Sequence, residues 1–170
     1  MAKLKNLDDL LEHSIKDLYS AEKQALEALP KMAKKANDPQ LKKAFETHLQ
    51  ETEQQKSRLE QIFQLMGMPT SRMKCEAMEG LIKESEEMID ENATPEVKDA
   101  GLIASAQKME HYEISGYGTA AHFAQRLGKN DIYKLLEQTL NEEQKTDTLL
   151  NNLAKGYINQ KAMPGSAKNT

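Results

Sequence analysis

A helical period that recurs four times over long stretches constrains this chain more than any other feature. In the first stretch Leu7, Leu11, Ile15, Leu18, Glu22, Ala25, Leu29 and Met32 follow one another at three- and four-residue steps. That spacing lines one face of an α-helix and does not fit a strand. Asn6 can cap the start, with Asp8 and Asp9 in a first turn that favours carboxylates. Pro30, near the end, predicts a kink. A second stripe runs through Leu41, Phe45, His48, Thr52, Gln55, Leu59, Ile62 and Met66, behind Asp38 as cap and Pro39 as first helical residue. It stops at Gly67 and Pro69. Residues 72–91 predict a shorter helix, with Met73, Ala77, Gly80, Leu81, Glu84 and Met88 near one stripe.

Thr94 and Pro95 open a third long helix, whose stripe is Ile103, Ala106, Glu110, Glu113, Tyr117, Ala120, Ala124 and Leu127. The last carries Ile132, Leu136, Thr139, Glu143, Thr146, Leu150, Leu153 and Tyr157. Two tight hairpins joined by a long connection predict an all-α fold, a four-helix bundle with a crossover helix between the second and third long helices. Residues 1–162 read as one domain and residues 163–170 as a mobile tail.

The two hairpins align without a gap at an offset of 91 residues. Glu22 meets Glu113, Leu41 meets Ile132, Phe45 meets Leu136, His48 meets Thr139 and Glu51 meets Glu142. Apolar matches between amphipathic helices are common. The acidic match of Glu22 with Glu113 is more informative, because both interrupt an apolar stripe. A bundle of two similar hairpins has a pseudo-two-fold axis, and residues paired by it face each other across the core.

An unpaired carboxylate in an apolar core is costly and takes up a proton or finds a partner. The seams between the helices are expected to hold no Lys or Arg to neutralise Glu22, Glu110, Glu113 or Glu143. A divalent cation would serve, and glutamates from four helices could enclose two. The other reading puts these glutamates at the stripe edges, with their carboxylates in water. Gly116 and Gly118 also have two readings, since two mid-helix glycines cost ~1 kcal/mol each against Ala. They allow the close approach of a neighbouring helix or partner chain, or they mark a channel or helix distortion beside a metal.

The remaining features narrow the function class. The net charge of −4 and pI ≈ 5.7 argue against a nucleic-acid binder. Cys75 is the one cysteine, so an intrachain disulfide and a Cys-based zinc cage are both excluded. With no helix start or histidine partner in view, it reads as a small core filler. No apolar run approaches the ~20 residues of a membrane span, and the first residues lack the apolar core of a secretory signal. The expectation is a cytoplasmic protein without membrane or nucleic-acid partners. His13, His111 and His122 fall off the stripes and read as solvated. Thr52 and Gln55 are inward by spacing, and Tyr19 and Tyr117 flank the acidic level. No phosphate loop, nucleophile elbow or Ser/His/Asp signature is present, and no catalytic residue is assigned.

The stretches "DLYSAEKQ", "HLQETEQQ", "RMKCEAMEGLI", "AQKMEHYEISGYGT" and "LNEEQKTD" closely resemble the YciF-like bacterial stress proteins over roughly residues 5–160. The resemblance implies a ferritin-like, rubrerythrin-related bundle, a role in stress responses and a homo-oligomer, a dimer first. It also implies a di-metal carboxylate site for two divalent ions, iron first and manganese second. The rubrerythrin-type pattern maps onto Glu22 on the first helix, Glu51 on the second, Glu110 and Glu113 on the third, and Glu142 on the fourth. Glu143 lies better on the apolar stripe, so both it and Glu142 are candidates. Both histidines of the pattern are missing, because Gln54, Lys145 and Thr146 stand at the matching places. His48, one turn before Glu51, could replace one as ligand or hydrogen-bond partner. Such a site would support Fe(II) oxidation by O₂ or peroxide. The alternative, favoured by the missing histidines, is a structural or interaction protein of the stress response whose carboxylate site is empty or weakly occupied.

Overall fold

The computed structural model describes residues 4–165. Four long helices form the bundle: α1 (Leu7–Lys35), α2 (Pro39–Leu65), α4 (Pro95–Arg126) and α5 (Asn130–Leu153). The crossover helix is α3 (Glu76–Asp90), and the chain closes with a π-helical turn (Ala154–Ile158) and the short α6 (Asn159–Lys161). This is the four-helix bundle with one long crossover expected from the periodicity. The described residues include the start of the expected tail, while residues 166–170 lie outside them. No helix among the described residues is long and apolar enough to cross a membrane.

Around the ring α1 packs on α2, α2 on α5, α5 on α4 and α4 on α1. Asp99, near the start of α4, accepts hydrogen bonds from the backbone N–H groups of Asn37 and Asp38 at 2.8 Å each. The helices α2 and α4 therefore begin at the same end, and the connection between them must travel the length of the bundle. α3 makes that passage, lying against α1 and α4. Lys98 is buried and donates to three backbone carbonyls at the end of α3, those of Met88, Ile89 and Glu91, at 2.8, 2.8 and 2.6 Å. These are orphan carbonyls of a helix end, and the ammonium satisfies them while matching the negative end of the helix dipole.

Two boundaries differ from the sequence reading. α3 starts at Glu76 rather than 72, because the Ser20 hydroxyl accepts the Cys75 N–H at 2.8 Å and the Cys75 side chain caps the helix at the Met78 N–H. Cys75 therefore does stand at a helix start, contrary to expectation. Burial nevertheless pushes its thiol up, so it remains a core residue. α5 ends at Leu153, and the π-helical turn carries the chain on to bury Ile158 while the Tyr157 hydroxyl donates to Asp38 at 2.7 Å. Pro30 stays within α1, which continues to Lys35.

The core is divided along its length. One apolar cluster holds Ala25, Leu29, Phe45, Met78, Ile103, Met109 and Leu150 among others. A second, towards the other end, holds Leu11, Leu18, Leu59, Phe63, Tyr117, Ala120 and Leu136 among others. Between them every long helix places buried polar side chains: Glu22, then His48, Thr52 and Gln55, then Glu110 and Glu113, then Glu143 and Thr146. A Cβ added at Gly116 would come within 2.8 Å of Leu18 Cδ2, so this glycine serves the close approach of α1 and α4. The corresponding contact at Gly118 is an ordinary 3.9 Å to Leu140.

Candidate metal centre

α1 and α4 run antiparallel, with Leu18 against Gly116 and Asn37 on Asp99. That register sets Glu22 level with Glu113. Glu110 lies one turn earlier on the same face of α4 as Glu113, as the three-residue spacing requires. α2 brings His48 and α5 brings Glu143. These five side chains are at most 3% exposed. One ligand atom each from His48, Glu110, Glu113 and Glu143 lie within 4.8 Å of one another. His48 Nε2 is 3.1 Å from Glu110 and 3.8 Å from Glu143. Its Nδ1 is 3.4 Å from the Thr146 hydroxyl and 3.7 Å from Glu51. Thr52 takes no part, since its hydroxyl donates back to the His48 carbonyl at 2.9 Å.

Glu22 shares the buried layer but is not one of these four, and two further sequence candidates stand apart from it. Glu51 is half-buried at the rim, where the His48 ring beside it holds its carboxyl below the usual range. Glu142 is bound bidentately by Arg58, at 2.6 and 2.7 Å. Arg58 is itself buried in the α2–α5 seam and also donates to the Thr139 hydroxyl at 3.1 Å. The expectation that the seams hold no cation is thus corrected. Arg58 lies one turn beyond Gln55, off the apolar stripe, and its long stem lets the head reach inward. Of the two neighbours, Glu143 joins the cluster and Glu142 does not. His13, His111 and His122 are exposed.

The electrostatics are those of carboxyls crowded out of water. Burial first, then the charges of Glu22 and Glu110, push the Glu113 carboxyl well up. Glu143 is raised by burial and then by Glu110 and Glu113. Burial also lifts Glu22, to about 8, against the hydrogen bond that the Tyr117 hydroxyl donates to it. Burial opposes a charged His48, but the surrounding carboxylates, Glu110 foremost, raise its pKa well above the ordinary value.

The oxygens test whether a metal suits these residues. Glu22 Oε2, Glu110 Oε2, Glu113 Oε1 and both oxygens of Glu143 are buried with no hydrogen-bond partner among the described residues. Native interiors rarely leave so many acceptors unpaired in one place. The atoms are of the hard-oxygen type with one imidazole, the donor set that divalent iron and manganese accept. The buried His/Glu group could hold a metal ion.

Known proteins place the chain. The family described as a domain of unknown function, DUF892, matches residues 6–163. Protein YciF of Escherichia coli K12 is 46% identical over 160 residues, covering 94% of this chain and 96% of that protein. The crystal structure of the E. coli stress protein YciF superposes with a TM-score of 0.88, covering 92% of this chain and 99% of the other. YcfI of Rhodopseudomonas palustris, for which a structural role is put forward, gives a TM-score of 0.85 at 43% identity, covering 88% of this chain and 95% of the other. A Xanthomonas campestris protein shares the fold at 19% identity, with a TM-score of 0.68 over 93% of this chain and all of that one. From sequence and structure together, the chain belongs to the DUF892 family of YciF-like proteins.

Proposed function

We propose that the chain is a ferritin-like di-metal carboxylate protein of the bacterial stress response, which binds iron, or manganese in its place, and oxidises Fe(II) with O₂ or peroxide. The observation that carries this reading is the set of orphaned carboxylate oxygens, those of Glu110, Glu113 and Glu143 gathered with His48 and that of Glu22 in the same buried layer. The stress assignment rests on the description of the E. coli relative. Iron or manganese held there would supply a Lewis acid able to exchange electrons with oxygen or peroxide.

The chain's own groups do the rest. Glu110, Glu113, Glu143 and His48 would take one ion. Thr146 and Glu51 on the Nδ1 side of His48 orient the ring and leave Nε2 towards the carboxylates. Tyr117 holds one oxygen of Glu22 and leaves the other free to bind. The two apolar clusters keep bulk water from either end of the polar layer. A second copy of the chain and a cytoplasmic setting complete the proposal. The half-buried Leu81, Ile82, Met88 and Ile89 on α3 support the former and the free thiol of Cys75 the latter.

A second reading, a structural stress protein whose site takes up protons rather than metal, is favoured by the absent histidines and by the role put forward for YcfI. Thermal unfolding separates the two, with wild type and Glu113→Ala each measured with Mn(II) or anaerobic Fe(II) and with chelator. The metal protein is stabilised by the ion in wild type alone, by about 3 kcal/mol at a hundredfold excess over Kd. Fe(II) then oxidises faster with wild type than in buffer. The structural protein gives the same curve with and without ions. Glu113→Ala then costs about 1–3 kcal/mol in both conditions through unpaired partners.

A further inference from the structure

Gln55 is fully buried in the polar layer, one turn beyond Thr52 and two beyond His48 on α2. Its amide nitrogen donates to Glu142 at 3.3 Å. Glu142 is in turn fixed by the Arg58 guanidinium. This chain of bonds anchors the nitrogen end of the amide at the α2–α5 seam and turns the oxygen away from it. Gln55 Oε1 is buried and has no hydrogen-bond partner among the described residues. An amide oxygen in that state lacks the interaction a buried acceptor needs. In the same polar layer between the two apolar clusters, Glu22 Oε2 and Glu113 Oε1 lack partners as well. Arg58, three residues after Gln55, lies near enough to act on the Glu22 carboxyl through its charge.

We infer that Gln55 is a metal ligand through its amide oxygen, and that the two ion positions are chemically unequal. One position has an imidazole, with His48, Glu110 and Glu143. The other is all oxygen, with Glu22 and Gln55, and Glu113 lies between them. The inference rests on the di-metal reading above and deepens it. The all-oxygen position suits a hard ion and holds it more weakly, because a neutral amide replaces a charged or nitrogen donor. Arg58 and Glu142 act as positioning residues. Their ion pair sets which end of the amide faces the layer, much as an outer hydrogen bond sets the orientation of a ligating ring.

The test counts Mn(II) ions bound per full-length chain by equilibrium dialysis and native mass spectrometry. Paramagnetic resonance of the same samples distinguishes a coupled pair from an isolated ion. Wild type binds two ions of unequal affinity and shows the coupled signal. Gln55→Leu retains only the tighter ion and gives the isolated signal, with helix content unchanged. Gln55→Glu keeps two and binds the weaker one roughly tenfold more tightly, since the ligand gains a charge. Equal ion counts in wild type and Gln55→Leu overturn the role of Gln55 while leaving a metal protein. No ion bound to wild type overturns the di-metal reading and this inference with it. If Gln55→Leu does not fold, Gln55→Glu decides, and an unchanged affinity for the weaker ion overturns the inference.

Discussion

Glu113 and Glu143 bury carboxyls that face other carboxyls, and this gives the metal-free protein a particular response to pH. Glu22 is raised to about 8, and Glu113, Glu143 and His48 lie well above their ordinary values. A raised pKa means the folded chain holds its proton more tightly than the unfolded one. The resulting stability is present at low pH and lost as pH rises through the folded value. In chelator, the unfolding free energy should therefore fall as pH rises from about 4.5 to about 8, by about 2 kcal/mol or more, and the midpoints with it. On the proposed metal reading, divalent ions would displace these protons, so the gain from Mn(II) should grow over the same interval. Midpoints that stay flat or rise in chelator would show that the four groups hold their protons no more tightly in the fold than in the unfolded chain. The glutamates at Glu22, Glu110, Glu113 and Glu143 were legible in the sequence because a charge in an apolar stripe breaks a pattern. Arg58 was not, since nothing in the helical spacing reveals that a long side chain off the stripe curls its head into the seam. Glu142 followed the repeat but was drawn away by Arg58, a contact between helices that one helix's pattern cannot carry.

At the level of elements, α3 depends on a residue outside itself. Few of its side chains are buried, Met78 and Ser85 among them, and its last carbonyls are held by Lys98 of α4. Lys98→Met keeps the stem and removes the ammonium, leaving carbonyls near the start of α4 without their donor. The expected cost is about 1–3 kcal/mol. It should be concentrated in α3, visible as faster amide hydrogen exchange in Glu76–Asp90 while α1 and α2 keep their protection. Uniform exchange across the chain would refute this local role. The long helices were read from sequence because period and caps agree. Asn6 and Asp38 cap as expected, accepting hydrogen bonds from first-turn N–H groups. The beginning of α3 and the π-helical turn escaped because both answer to partners distant in sequence, Ser20 in one case and Asp38 in the other.

Taken whole, the molecule has apolar side chains on α3 that the bundle covers only in part. If a second copy completes that cover, light scattering at micromolar concentration should give twice the 19.2 kDa of the chain. Ile82→Glu should reduce the mass to that of one chain while preserving helicity. A single-chain mass for wild type would count decisively against the dimer. The topology also bears on the order of events while the chain is being synthesised. The first hairpin leaves the ribosome with Glu22, His48 and Gln55, whereas Glu110, Glu113 and Glu143 all belong to the second. Folding in the cell proceeds from the N-terminus, as sequence becomes available. If the proposed site takes a cation, the first hairpin must therefore wait without it, its apolar face offered to whatever else is nearby, until α5 has emerged. Loading would then be a late, post-translational act, and the availability of free metal would govern the finished protein rather than its making.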